Sequence, residues 1–329
     1  MLNVSVIGTG SMGRNHIRTY SKLNNANLVA ICDIDAEAGK KIAEDYKIKF
    51  YKDYIEMMAK EKLDVISIVV PTKLHKEIAI HAIEQGINVL IEKPIANSIA
   101  EAQEIFKAAK EHDVKVMVGH LERFNPAVRE LKHIIQEGQL GAITSIIAKR
   151  VGLFPPRIKD VNVIIDLAIH DIDICNYLLD SKPTKIMAVA GKVHTNNRED
   201  YAELFLLYPK SNVFIESNWI TPVKIRKLYI TGTKGYAELN YITQELDVYE
   251  KEVEKNYDDF GDFVIKFGEV KKKTVELKVE EPLLLELQSF LNSVKNGTEP
   301  EVNEKEMISV LSIALKCVDL SKKCIRKKR

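Results

Sequence analysis

From residue 1 to about 120, short apolar runs alternate with amphipathic stretches. The runs at 4–7, 28–31, 65–70, 88–91 and 115–118 are short and rich in Val and Ile. Near-continuous apolar runs of that length suit strands buried on both faces. The stretches between them repeat apolar residues every three or four positions. His75, Ile78, Ala79, Ala82 and Ile83 form one such set, stopped by Gly86, and predict a helix with one buried face. Regular alternation of this kind implies a parallel sheet with helices on both faces, and ligands beyond the carboxyl ends of its strands.

After Gly119 the period changes. The pattern predicts a helix from Pro126 to Glu137 ended by Gly138 and Gly141, a strand over 143–150, and one apolar-faced helix over 161–179. From Lys185 to Val279 polar and apolar residues mostly alternate: Met187 and Val189; Leu204, Leu206 and Tyr208; Val213 and Ile215; 225–230; and Val275, Leu277 and Val279. Period-two patterning without long helices predicts an antiparallel sheet with one covered face. Two helices, near 282–295 and 303–323, close the chain. The expected fold class is α/β, with a parallel-sheet domain over 1–120 and a second α/β domain over 121–329 built on a large, mostly antiparallel sheet.

The first turn carries a motif. Gly8, Gly10 and Gly13 fall at G-x-G-x-x-G spacing, within Gly8-Thr9-Gly10-Ser11-Met12-Gly13, where the first strand passes into a helix. Gly8 permits the tight turn, Gly10 lets backbone approach a pyrophosphate, and Gly13 lets helix pack on strand. The helix N-terminus offers free N–H groups and a partial positive charge to the phosphates. Asp33 ends the next apolar run, 20 residues past Gly13. A carboxylate there accepts hydrogen bonds from the ribose hydroxyls and repels a 2′-phosphate, which favours NAD over NADP. The competing role for Asp33 is to cap the helix starting near Ala36, which Asp35 could do equally well.

Composition narrows the partners. At 329 residues the chain exceeds one ordinary core, so two domains are expected. A net charge of +1 gives no global drive toward nucleic acid or an anionic membrane. No apolar run reaches the roughly 18 residues a membrane helix needs. The first strand begins at once, leaving no room for a signal peptide. Cys32, Cys175, Cys317 and Cys324 are scattered without metal-ligand spacing, which predicts reduced thiols in a cytoplasmic protein and no metal site. The basic end, Arg326-Lys327-Lys328-Arg329, reads as a solvated terminus.

Three further clusters carry chemistry. Pro71-Thr72-Lys73-Leu74-His75 and Glu92-Lys93-Pro94 each follow a strand end, on the ligand edge of the parallel sheet. Asp166, His170 and Asp173 recur at i, i+4 and i+7 of the 161–179 helix, so a regular α-helix would put them on one face. An otherwise apolar helix rarely carries such a stripe unless it is exposed or used.

Taken together, the Gly-rich loop, Glu-Lys-Pro after the fifth strand and Asp-x-x-x-His on a second-domain helix resemble the Gfo/Idh/MocA family (glucose–fructose oxidoreductase, inositol dehydrogenase and relatives). The resemblance runs nearly the whole chain. It implies a Rossmann domain, then an α/β domain for substrate binding and oligomerisation, and nicotinamide-dependent oxidation or reduction of a sugar or cyclitol. It implies that Lys93 bonds the reacting hydroxyl, that His170 is the general base, and that Asp166 orients it or relays its proton. It also places Pro71, Thr72, His75, Glu92 and Lys93 near the cofactor. His75 could instead face solvent, and Glu92 could form a structural salt bridge. The chemistry agrees: a histidine of ordinary pKa takes a hydroxyl proton near neutrality, and a lysine cation stabilises developing alkoxide charge.

A narrower resemblance lies in Gly119-His120-Leu121-Glu122-Arg123-Phe124-Asn125-Pro126 and Phe154-Pro155-Pro156-Arg157-Ile158-Lys159-Asp160. These blocks are similar to the UDP-N-acetylglucosamine 3-dehydrogenase branch. Arg123, Asn125 and Arg157 then become substrate-binding candidates, the guanidinium groups donating paired hydrogen bonds to a diphosphate. The alternative is that both arginines are interdomain salt bridges. At Asn162-Val163 the chain departs from the family's usual glycine, and Asn tolerates left-handed geometry. The expectation is a cytoplasmic NAD-dependent dehydrogenase of a small nucleotide-sugar substrate, a homodimer or homotetramer without nucleic-acid or membrane partners. The alternatives are an inositol or free-sugar dehydrogenase, or a silent NAD(H)-binding sensor.

Overall fold

The computed structural model describes residues 1–154, 161–195, 197–250, 253–257, 263–267 and 271–323. The chain parts into two units, Met1–Phe124 with Glu280–Ser312, and Asn125–Val279 with Ile313–Arg329.

In the first unit β1 (Leu2–Ile7), α1 (Ser11–Tyr20), β2 (Ala26–Cys32), α2 (Ala36–Tyr46), β3 (Lys49–Tyr51), α3 (Tyr54–Lys60), β4 (Val65–Ile68), α4 (His75–Glu84), β5 (Asn88–Glu92), α5 (Ile99–Glu111) and β6 (Val116–Gly119) follow one another. The described strands pair in parallel in the order β3-β2-β1-β4-β5-β6. Val4, Val6, Ile31, Ile66, Ile68, Val89 and Ile91 are fully buried, as strands covered on both faces require. The helix α4 buries the five residues that its spacing singled out. The short β3 and the α3 helix were not foreseen. Lys47, in a left-handed conformation, ends α2, and a three-residue strand is too short to show a period.

The second unit holds α6 (Pro126–Gln136), β7 (Ile143–Val151), a π-helical turn at Ile164–Ala168, and α7 (Ile169–Leu179). There follow β8 (Lys185–Gly191), β9 (Tyr201–Leu207), β10 (Asn212–Asn218), β11 (Ile225–Gly232), β12 (Gly235–Asn240), β13 (Glu245–Glu250), β14 (Val253–Tyr257), β15 (Phe263–Phe267) and β16 (Lys271–Thr274). The main sheet runs β16-β13-β12-β11-β7-β10-β9-β8; β7 and β10 are parallel and the other neighbours antiparallel. Its inner face buries Ile146, Ala148, Leu204, Leu206, Val213, Ile215, Leu228 and Ile230. The α6 and α7 helices pack against each other and reach this sheet.

On the outer face the register sets Met187 beside Phe205, Phe205 beside Phe214, and Phe214 beside Ile147. Each of the four is more than a third exposed. They form an apolar row across four strands.

Two expectations need correction. Val275, Leu277 and Val279 are not a strand, because β16 stops at Thr274. Its partner β13 begins at Glu245, so after the Val275 N–H bonds the Leu246 carbonyl the pairing runs out. The 161–179 helix is not continuous α-helix but a π turn followed by α7.

The C-terminal helices are α8 (Pro282–Asn296) and α9 (Glu304–Lys323). α8 packs on α1 and on the 3₁₀ turn Leu121–Phe124, and Glu280–Ser312 belongs to the first unit. Among the described residues no helix is long and apolar enough to cross a membrane, and no group of three or more His, Cys, Asp or Glu is placed to hold a metal ion.

Candidate active site

The predicted cofactor residues of the first unit fall at the carboxyl ends of four neighbouring strands. Asp33 follows β2, the glycine loop follows β1, Pro71 to His75 follow β4, and Glu92 ends β5 with Lys93 just after it. Each glycine has a separate steric reason. Gly8 sits at φ +97°, and a Cβ there would lie 2.2 Å from the Val69 carbonyl oxygen. A Cβ on Gly13 would lie 1.9 Å from the Gly8 carbonyl oxygen. A Cβ on Gly10 would meet nothing within 4 Å, so this position faces open space. The α1 N-terminus has no side-chain cap, so its first N–H groups stay available. An open cradle over an uncapped helix N-terminus fits a dinucleotide pyrophosphate.

Asp33 does not cap α2; Asp35 does, accepting from the Ala38 N–H at 3.1 Å. Asp33 instead accepts from the Thr9 N–H at 2.5 Å and the Thr9 hydroxyl at 2.8 Å through Oδ2, and from the Asp35 N–H at 2.9 Å through Oδ1. These bonds fix the carboxylate beside the glycine loop, where a ribose diol would be read. Ser11 is exposed, Met12 half-buried, Thr9 and Thr72 buried, and Pro71 exposed.

His75 does not face solvent. It is 1 % exposed, with Nδ1 2.9 Å from the Pro94 carbonyl and Nε2 2.9 Å from the Val70 carbonyl. It lies between the loop after β4 and the turn that carries Lys93, and as a neutral imidazole it donates to one of these two carbonyls. Burial pushes its pKa below the ordinary value, although the carbonyl acceptors and the Glu92 carboxylate pull upward. Glu92 is buried too, accepting from the Lys93 N–H and lying 3.1 Å from His16 Nε2. Burial alone would raise the Glu92 pKa. The His16 hydrogen bond and the charges of His16 and Lys93 outweigh that and hold it below the carboxylate range. His16 was missed, yet it sits with Ile17 and Tyr20 on the buried stripe of α1. A polar residue within an apolar stripe was the available signal.

In the second unit Asn162 leads into the π turn. Its Oδ1 accepts from the Ile165 N–H, its carbonyl from the Asp166 N–H, and its Nδ2 donates to Glu199. Asn162 is not among the left-handed residues; it replaces a glycine by capping rather than by tolerating positive φ. Asp166 lies in the π turn, half-buried, and His170 is half-buried on the first turn of α7, whereas Asp173 is 1 % exposed. Asp166 thus sits on the π turn, while His170 and Asp173 sit one turn apart on α7. Arg150 on β7 makes a bidentate pair with Asp171, Nε and Nη2 donating at 2.8 and 3.1 Å, and stacks on the Tyr241 ring. Both partners are at least 96 % buried, and the pair locks α7 to the sheet.

The sequence block around residue 123 does structural work. Arg123 is buried and donates to Glu306 at 2.9 Å within the first unit. Asn125 is fully buried, capping α6 through the Ala127 N–H and donating to the Tyr241 carbonyl. Arg157 and the rest of 155–160, Cys324 and the basic end 326–329 lie outside the described residues.

The family described as "Oxidoreductase family, NAD-binding Rossmann fold" matches residues 2–120, and the GFO/IDH/MocA C-terminal domain matches residues 128–238. The chain belongs to the Gfo/Idh/MocA family. This member is an NAD-dependent dehydrogenase of a CH–OH group. It is 26 % identical to the UDP-N-acetylglucosamine 3-dehydrogenase of Acidithiobacillus ferrooxidans, over 89 % of this chain and 88 % of that protein. It is also 26 % identical to the scyllo-inositol 2-dehydrogenase (NAD(+)) of Bacillus subtilis, over 94 % and 91 % of the two chains. The solved structure of the A. ferrooxidans UDP-N-acetylglucosamine 3-dehydrogenase shares the fold, with a TM-score of 0.85, 24 % identity and 98 % of each chain covered.

Proposed function

We propose that this protein oxidises the 3-hydroxyl of a UDP-N-acetylhexosamine, UDP-N-acetylglucosamine, to the 3-keto sugar nucleotide. NAD⁺, when bound, supplies the hydride acceptor. Gly8 to Gly13, Asp33, Pro71, Thr72, His75 and Glu92 are the residues to hold it. Lys93 stabilises the developing alkoxide. His170 takes the hydroxyl proton and Asp166 orients its imidazole. The reading is carried by the two sequence blocks at 119–126 and 154–160, because overall identity to the sugar-nucleotide and inositol enzymes is equal. Arg123 and Asn125 are engaged inside the fold, so Arg157 is the arginine of those blocks assigned to the diphosphate.

The test is turnover of UDP-N-acetylglucosamine with NAD⁺, with an aminotransferase present to draw off the ketone. We expect NADH formation, and its loss by about 10²-fold or more in Lys93→Met while NADH still binds. Turnover of inositol or glucose in its place would overturn the sugar-nucleotide reading. Nucleotide-dependent behaviour without turnover of any of them would identify a sensor.

We further infer that the protein is a homodimer or homotetramer through the outer face of its large sheet. An apolar row of four exposed side chains is what a covering copy would bury. Phe205→Glu with Phe214→Glu is expected to yield a smaller species by light scattering; an unchanged mass sinks this assignment. Three buried free thiols, Cys32, Cys175 and Cys317, support a reducing, cytoplasmic location.

A further inference from the structure

The geometry points to an oxyanion-binding subsite in the second unit formed by Arg198, Trp219 and Phe154. Given the function proposed above, on which this rests, it takes the diphosphate of the sugar nucleotide. The Arg198 guanidinium lies over two rings, 5.7 Å from the Phe154 centroid and 5.8 Å from that of Trp219. The rings themselves meet edge to face at 5.6 Å. Cation–π contact with two rings at once restrains the guanidinium, and its N–H donors remain available to an acceptor beside it. Among the described residues none accepts from Arg198 Nη1, which is shielded from water. Trp219 is 2 % exposed, and its Nε1–H likewise has no acceptor. One cluster thus holds two donors, one of them cationic, lacking the acceptors that buried donors require.

The acids beside Arg198 are occupied elsewhere. Glu199 accepts from the Asn162 amide at 3.0 Å. Asp200, fully buried, gathers the N–H groups of Val193, His194 and Thr195. The Trp219 backbone N–H donates to the Asp200 carbonyl, and the Asn218 side chain accepts from the Ile220 and Thr221 backbone N–H groups. Both segments of the cluster are therefore fixed in place, and the local carboxylates do not neutralise the guanidinium. An oxyanion with several acceptor lone pairs would satisfy both donors. Through Glu199 the same loop anchors Asn162 and the turn bearing Asp166, so an anion held here borders the element that carries the proposed proton relay.

Trp219 is the sole tryptophan, so its emission reports on this cluster without turnover. We expect UDP and inorganic pyrophosphate, without NAD present, to change that emission saturably, and N-acetylglucosamine alone to leave it unchanged. Arg198→Ala should weaken UDP binding by about tenfold or more in calorimetry, with NADH affinity and far-UV circular dichroism retained. Arg198→Lys, which keeps charge but loses the planar guanidinium, should recover part of the affinity and serves if the alanine variant does not fold. A UDP affinity left unchanged by both substitutions, or an equal emission response to N-acetylglucosamine, overturns the subsite. If UDP binds as expected but UDP-N-acetylglucosamine is not oxidised, the subsite stands and the assigned reaction fails. If it is oxidised and Arg198→Ala leaves its KM unaltered, the reaction stands and the subsite fails.

Discussion

The glycine loop of the first unit and the π turn of the second both present functional side chains, but they are built differently. In the loop, the backbone itself sets the fit: Gly13 abuts the Gly8 carbonyl, and Thr9 binds Asp33 at the end of the adjacent strand. In and just after the π turn, position depends on side chains from other elements. Glu199 holds Asn162, and Arg150 holds Asp171 from a neighbouring strand. A site of the first kind is written as a spacing. A site of the second kind exists only once the sheet has formed.

The sharpest way to break the second region is Arg150→Met. It leaves the buried Asp171 carboxylate without its cation, and we expect a loss of about 3–5 kcal/mol in denaturant unfolding. Adding Asp171→Leu should recover much of that loss; if the double variant is no better than the single one, the ion pair is not the lock described here. In the first region, Gly13→Ala forces a Cβ against backbone and should cost about 3 kcal/mol or more. By contrast Gly10→Ala meets open space. It should unfold within about 0.5 kcal/mol of the parent yet bind NADH measurably more weakly. Equal stability losses for the two alanines would refute the division of labour among the glycines.

The smallest effect is the pH dependence of the His75 clamp. Its folded pKa is depressed by burial, so the unfolded chain binds the extra proton. Stability is then full above the ordinary histidine pKa and is lost as pH falls below it, with a slope of at most about 1.4 kcal/mol per pH unit. The difference between the parent and His75→Gln in melting temperature should therefore shrink on acidification from pH about 7 to 5. A constant difference would show that His75 does not titrate in that range.

The α4 buried face, the crowding that demands glycine at Gly8 and Gly13, and the strand ends that carry Asp33, Glu92 and Lys93 were legible in the sequence. The 161–179 stretch reads as one helix because π and α turns share the same apolar composition. A helix's stripe shows that a face is buried but not against what: α8 meets α1, which no local pattern in either helix encodes.

What the chain alone determined is therefore the alternation of elements, the dinucleotide loop and the identity of the ionisable groups. These follow from spacings of a few residues, within which backbone geometry is set locally. The tertiary structure decided which groups are already spoken for: Arg123 by Glu306, Asn125 by the Tyr241 carbonyl, and Asp171 by Arg150. It also set the Arg198 guanidinium against the Phe154 and Trp219 rings. Partners far apart in sequence meet only through sheet register and helix packing, and no short-range pattern encodes that meeting.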